Sequence, residues 1–325
     1  MTKFEEFRKN GYVVIRNALT AQEISELREL SFNIFEEKRK NTPETAPLDS
    51  KRRTVYTKTF LENPKLVNVM FKKTIVDVLK EVFGEDYITF IQFSLGENLH
   101  SPVWHTDSQS QGSAQYLFHQ DYNISKCGLY FQEDDDIYGG QLEIKPGSHL
   151  PSCLGTKSFL TTDARYGKIS RLQLLATMIR TKLRKNVRVN LNGGDILLFH
   201  GMLWHRASQP DWSQVEAIDN YGVKNPPKEK HKFMVQFEVS PNNYFAPLYV
   251  SHQQWRASIQ ENGQYIESDE VRFPDDFDES TLELIKANDC KIGIYQEMGL
   301  DMSAHNLKTP DGLPIVIFEN KGVME

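Results

Sequence analysis

Residues 194–205 read GDILLFHGMLWH. Gly194 and Asp195 form a turn, and Ile196–Phe199 is a short apolar run bounded by turn residues, the pattern of a strand buried on both faces. His205 follows one turn later. Working outward, the same kind of segment recurs as YITFIQFSL (87–95), KCGLYFQ (126–132), GQLEIKPG (140–147), VRVNL (187–191) and KFMVQFEV (232–239). Turns rich in Gly, Asn and Asp separate them. Many short strands in one stretch point to a sandwich, barrel or jelly roll. The expected fold class is mainly β with flanking helices.

Helical signals lie on either side of this core. Tyr12–Ile15 reads as a strand, because β-branched residues suit a pleated surface. Thr20 and Glu23 form a capping box, ahead of a helix with Ile24, Leu27 and Leu30 on one face. Residues 42–60 are polar, carry Lys51-Arg52-Arg53 and read as an exposed loop. A helix is expected over 63–83, with Asn63 as cap, Pro64 at its first position and Gly84 as its stop. Leu150–Arg188 reads as an insertion, with a helical pattern around Leu172–Ile179 and a basic end at Arg180–Lys185. After Ser240 come aromatics (Tyr244, Phe245, Tyr249, Trp255), an acidic loop and a helix expected at Ser280–Ala287. No internal repeat is visible. The chain reads as one elaborated domain: a helical part over 1–85, a core over 86–240 with its insertion at 150–188, and an extension over 241–325.

Composition narrows the function classes. A chain of 325 residues with 39% hydrophobic and 11% aromatic residues can bury a sizeable core. A formal net charge of −6, with both signs mixed along the chain, is no footprint for nucleic acid. The three cysteines, Cys127, Cys153 and Cys290, are far apart, which argues against a disulfide framework or a thiolate zinc site. No apolar run resembles a signal peptide or a membrane span, so a soluble cytoplasmic protein is expected, with no membrane insertion.

The chemistry gathers around Trp104-His105-Thr106-Asp107 and Trp204-His205. In extended chain, residues i and i+2 share a face, so His105 and Asp107 can present an imidazole and a carboxylate to one ion. His205 follows a strand able to run alongside. Two histidines and one carboxylate fill one face of an octahedral metal and leave three positions open, the arrangement of non-haem iron(II) oxygenases. His119 and Asp121 have the same spacing and form a rival pair. His200, an odd five residues before His205, reads as a hydrogen-bonded structural histidine. His149 reads as structural or as the edge of the pocket, and Asp134-Asp135-Asp136 as a solvated turn.

Several separate stretches resemble the phytanoyl-CoA dioxygenase family of iron(II)- and 2-oxoglutarate-dependent oxygenases. These are FRKNGYVVIRNALTAQEISELREL (7–30), WHTDSQSQG (104–112), GGQLEIKPGSH (139–149) and GDILLFHGMLWH (194–205). They occur in the family's order, and the likeness runs from about residue 4 to 240. It implies a double-stranded β-helix (a cupin-like jelly roll), with His105, Asp107 and His205 as iron ligands. It also implies 2-oxoglutarate and oxygen as co-substrates, release of succinate and carbon dioxide, and hydroxylation of a small molecule. The carboxylate at 107 favours hydroxylation over halogenation, since related halogenases carry Gly or Ala there.

The chain departs from the family at the far carboxylate of 2-oxoglutarate. The family places an arginine shortly past the distal histidine. Here that region reads DWSQVEAIDNYGVKNPPKEK, and no arginine opens KFMVQFEV. Lys232 is the expected substitute, a point charge without arginine's bidentate fork. Lys230 and His231 compete with it, and all three also fit surface charges at a strand start. Thr106 is a second expected co-substrate contact. Trp104, Tyr116 and Tyr130 are candidates for substrate contact. Two other classes fit the same residues: a catalytically silent jelly-roll binding protein, and a cupin-type metalloenzyme that does not use 2-oxoglutarate.

Overall fold

The computed structural model of the chain describes residues 1–41, 53–98, 103–107, 122–150, 183–219, 222–224, 226–243 and 277–293, with a few single positions between these spans. Lys51, Arg52, Tyr116, the His119/Asp121 pair, Tyr244, Trp255 and most of the 150–188 insertion lie outside the described residues.

The elements, in order, begin with α1 (Lys3–Asn10), β1 (Tyr12–Ile15), α2 (Ala21–Lys40), β2 (Thr54–Tyr56), α3 (Thr57–Leu61), α4 (Pro64–Asn68) and α5 (Lys73–Phe83). The core strands follow: β3 (Ile88–Glu97), β4 (Ser125–Tyr130), β5 (Leu142–Ile144), β6 (Val187–Arg188), β7 (Ile196–His200) and β8 (His205–Ala207). Then come β9 (Ala217–Asp219), β10 (Gly222–Val223), β11 (Phe233–Ser240), α6 (Glu279–Ala287) and β12 (Lys291–Gly293). The expected capping box starts α2. Thr20 accepts from the Glu23 N–H while the Glu23 side chain reaches back to the Thr20 backbone. The helix expected over 63–83 is broken in two. Lys72 is extended (φ −63°, ψ 137°), and a 3₁₀ turn over Val69–Phe71 precedes it. Asn63 makes no cap; its side-chain amide donates to the Thr59 carbonyl instead.

The larger sheet runs β1-β7-β4-β11-β3, and β2 and β12 share the far side of β3. All its pairings are antiparallel except β12 with β3. β12 lies beyond the family-like region and was not expected as a strand. It pairs Lys291 with Ile88 and Gly293 with Phe90. The smaller sheet is β6-β5-β8, and β9 and β10 form a separate pair in the stretch that interrupts the family pattern.

Strand alternation assigns the faces. Phe233, Val235, Phe237 and Val239 of β11 join Cys127 and Leu129 of β4 and Ile196 and Leu198 of β7 in one cluster with Phe35, Val76 and Leu79 of the helices. The opposite face carries Tyr130, Leu197 and Phe199, which pack on Leu142 and Ile144 of β5, with Leu191 and Leu203. Two sheets therefore face each other over an apolar layer, with helices behind the larger one. Among the described residues they close into no barrel. No described helix is long and apolar enough to cross a membrane.

Candidate metal centre

β5 pairs antiparallel with β8, and Ile144 sits opposite His205. On the other side of His205 stands His105, joined to it by an isolated antiparallel bridge. Each N–H donates to the other's carbonyl at 3.0 Å. The segment 103–107 thus extends the smaller sheet by one short rung, and His105 and Asp107 project together as alternation requires. One donor atom from each of His105, Asp107 and His205 lies within 4.8 Å of the others. Asp107 Oδ1 is 3.8 Å from His105 Nε2, and Oδ2 is 3.6 Å from His205 Nε2.

The imidazole tautomers follow from their backbone partners. His105 Nδ1 lies 2.7 Å from the Val103 carbonyl, and His205 Nδ1 lies 2.9 Å from the Leu203 carbonyl. A carbonyl only accepts, so each Nδ1 carries the proton and each Nε2 turns its lone pair toward Asp107. Burial lowers the His205 pKa; Asp107 opposes the shift and His105 adds to it. Burial alone would raise the Asp107 pKa, but the Lys126 ammonium and the two imidazoles outweigh it and hold the carboxyl below its ordinary range. A divalent metal takes an imidazole through an unprotonated ring nitrogen and a carboxylate in its ionised form. The donor set fits iron(II).

The surroundings are uneven. The Phe199 ring meets His205 edge-on at 4.9 Å, and the apolar layer between the sheets continues behind it. His205 is 5% exposed, Asp107 19% and His105 33%, so the site opens on the His105 side. Lys126 of β4 faces the same interior. Its Nζ lies 3.4 Å from Asp107 Oδ1 and 3.7 Å from Glu238 Oε1 of β11, and the register pairs Lys126 with Glu238. The Tyr249 hydroxyl donates to Glu238 Oε2. None of Lys126, Glu238 and Tyr249 was singled out from the sequence as a site residue. The available signal was a lone lysine at an inward position of the apolar run KCGLYFQ.

The other expected contacts fall at varied distances. Tyr130 is fully buried on the inward face of β4. Its ring folds back over Gly128, where an added Cβ would approach within 3.3 Å. Its hydroxyl has no hydrogen-bond partner among the described residues. Burial and the Asp107 charge raise its pKa. Thr106 is also buried, and its hydroxyl has no such partner. Trp104 sits between the Lys145 ammonium and the Arg206 guanidinium, each 5.0 Å from its ring, as the neighbour of His105 on the opposite face.

Lys232 is not brought beside the triad. It precedes β11 at the end opposite Glu238, six residues or about 20 Å of strand away. It lines a polar cavity of about 220 Å³ with Gln132, Asp134, Asp135 and Lys230. Burial pulls its ammonium down to about 7, opposed by Asp134. Its competitors are held at the same end: Lys230 pairs with Asp135 at 2.7 Å, and His231 lies 3.2 Å from Glu97. The Asp134–Asp136 turn is tied down by Arg188, which reaches Asp134 and Asp136. His200 is structural. Its Nε2 donates to the Tyr122 carbonyl and its Nδ1 accepts from the Met202 N–H, so it braces the turn that leads to His205.

No protein of curated function matches the sequence. Among solved structures, the chain is similar to the non-haem α-ketoglutarate-dependent carbocyclase SnoK of nogalamycin biosynthesis, at 13% identity and a TM-score of 0.49, over 74% of this chain and 83% of that one. It is similar to EctD from S. alaskensis with bound Fe, at 14% identity and a TM-score of 0.47, over 73% and 75%. A third is the epimerase SnoN of the same nogalamycin biosynthesis, at 13% identity and a TM-score of 0.46, over 74% and 81%. The sequence profile of phytanoyl-CoA dioxygenase matches residues 7–210, well over half of the chain. This chain belongs to the phytanoyl-CoA dioxygenase family.

Proposed function

We propose that this protein is an iron(II)- and 2-oxoglutarate-dependent oxygenase that hydroxylates a small molecule, with His105, Asp107 and His205 as its metal ligands. One observation carries the proposal. Both Nε2 lone pairs and the Asp107 carboxylate converge within 4.8 Å, while both Nδ1 atoms are committed to backbone carbonyls. That is a facial set with its outer hydrogen bonds already made. Membership of the family supports the same cofactors.

Iron(II) held there supplies oxygen activation: one oxygen atom enters succinate as 2-oxoglutarate loses carbon dioxide, and the other enters the substrate's C–H bond. The chain's own residues fix the geometry. The His105–His205 bridge sets the spacing of the two imidazoles. The Val103 and Leu203 carbonyls orient the rings. Phe199 and the layer of Leu142, Ile144 and Leu203 keep water from the His205 side. Substrate approaches from the His105 side, where the triad is most exposed.

Anaerobic addition of iron(II) and 2-oxoglutarate is expected to give the weak visible band of a chelated complex. His105→Ala abolishes it, and succinate forms when air is admitted. Tight iron binding with neither band nor succinate would replace this reading with a metalloenzyme of another type. Failure to bind iron at all would leave a silent binding protein.

A further inference from the structure

A doubly charged co-substrate needs a cation for the carboxylate that does not reach the metal. Lys232 stands at the far end of β11 beside Asp134. Arg206 points away from the triad and pairs with Glu143 at 2.8 Å. Lys145 lies over the outer face of Trp104. Lys126 is different. It rises from β4 into the space between the sheets, on the inward side that Tyr130 and Glu238 share, and reaches within 3.4 Å of Asp107.

We infer that Lys126 is the ammonium that receives the far carboxylate of 2-oxoglutarate, the role the sequence suggested for Lys232. This rests on the chain using 2-oxoglutarate, as proposed above. Two features support it. The contacts of Lys126 with Asp107 (3.4 Å) and Glu238 (3.7 Å) are longer than the 2.7–2.9 Å of a close charge-assisted hydrogen bond. Both pairings are therefore long, and a four-carbon stem lets the amine turn from them toward a third carboxylate. A metal on Asp107 also neutralises the nearer of the two anions, which leaves the ammonium to an incoming one. Glu238, which accepts from the Tyr249 hydroxyl, stays behind to keep the amine in the interior.

The full chain, loaded anaerobically with iron(II), is titrated with 2-oxoglutarate and with 2-oxopentanoate. The latter has the same chain length with a methyl group in place of the far carboxylate. The wild type is expected to prefer 2-oxoglutarate by about 10- to 100-fold, the range of one hydrogen-bonded ion pair. Lys126→Met is expected to lose that preference to within about threefold while keeping its affinity for 2-oxopentanoate. Lys232→Met is expected to keep the preference in full. Lys126→Gln is run in parallel, with thermal melts of both variants, so that the reading comes from a folded protein.

A folded Lys126 variant with the wild-type preference overturns the assignment. So does one that weakens both ligands and iron equally, because Lys126 then only orients Asp107. A wild type that binds iron but neither oxo acid overturns the co-substrate reading itself, and this assignment with it.

Discussion

His105 and His205 exchange both backbone hydrogen bonds, each N–H donating to the other's carbonyl at 3.0 Å. Two histidines distant in sequence are thus fixed by main-chain pairing, before any metal arrives. Metal binding and stability should therefore separate. His105→Ala leaves the bridge intact and removes a partly exposed ring, so apo stability changes by less than about 0.5–1 kcal/mol. His205→Ala empties a buried position against Phe199 and costs about 2 kcal/mol or more. Both abolish iron binding. Urea titrations in excess chelator, beside iron-binding assays, check this. Equal destabilisation by the two variants contradicts it.

Asp195 ties the N-terminal segment to the strand that leads to His205. Its carboxylate is buried and accepts from Arg16 Nη1 at 2.6 Å, the Asn17 N–H at 2.8 Å and the Asn192 N–H at 2.9 Å. Asp195→Ala strands two backbone donors and should cost about 2–3 kcal/mol, with Arg16 adding little because it is half exposed. The folded fraction should still bind iron with wild-type affinity. A loss below about 1 kcal/mol, seen by denaturant titration, would mean that water replaces these bonds.

Acid should weaken the fold through two histidines that bind no metal. Burial holds His200 down to about 4 and His149 down to about 3, with His200 adding to the effect on His149; the rings lie 5.1 Å apart. Both are neutral in the folded protein, whereas in the unfolded chain they take up protons near the ordinary value of 6.5. Their contribution is therefore complete above about pH 6.5. It is lost as pH falls toward 4 for His200 and toward 3 for His149, by up to about 1.4 kcal/mol per pH unit for each. Apo stability followed from pH 7 to 5 should fall, and His200→Gln should flatten the slope. An unchanged slope in that variant removes His200 as a source of the acid lability.

The sequence was legible where local rules decide the outcome. Alternation placed His105 and Asp107 together, and the apolar run before Gly201 marked the strand that leads to His205. Local rules reach less far where neighbours in sequence stand on opposite faces. Trp104 adjoins His105 yet packs between Lys145 and Arg206. Lys232 opens the strand expected to carry the anchor, but at the end away from the triad. The Lys126–Glu238 pair was invisible because it depends on the register of β4 against β11, a long-range property no local pattern encodes. The parallel pairing of β12 with β3 was hidden for the same reason.

Tyr130 offers a test of whether the interior is built for a ligand. A buried hydroxyl without a partner destabilises the folded chain by about 1–3 kcal/mol relative to a satisfied one. Phenylalanine retains the ring that lies over Gly128 and removes the unsatisfied group. Tyr130→Phe should therefore leave the apo melting temperature unchanged or raise it by a few degrees. If the hydroxyl serves a ligand, the same variant should gain less stability than the wild type when iron(II) and 2-oxoglutarate, or the substrate, are added. An apo protein destabilised by the change would mean that the hydroxyl already has a structural partner, and equal ligand protection in both proteins would place it outside the binding site.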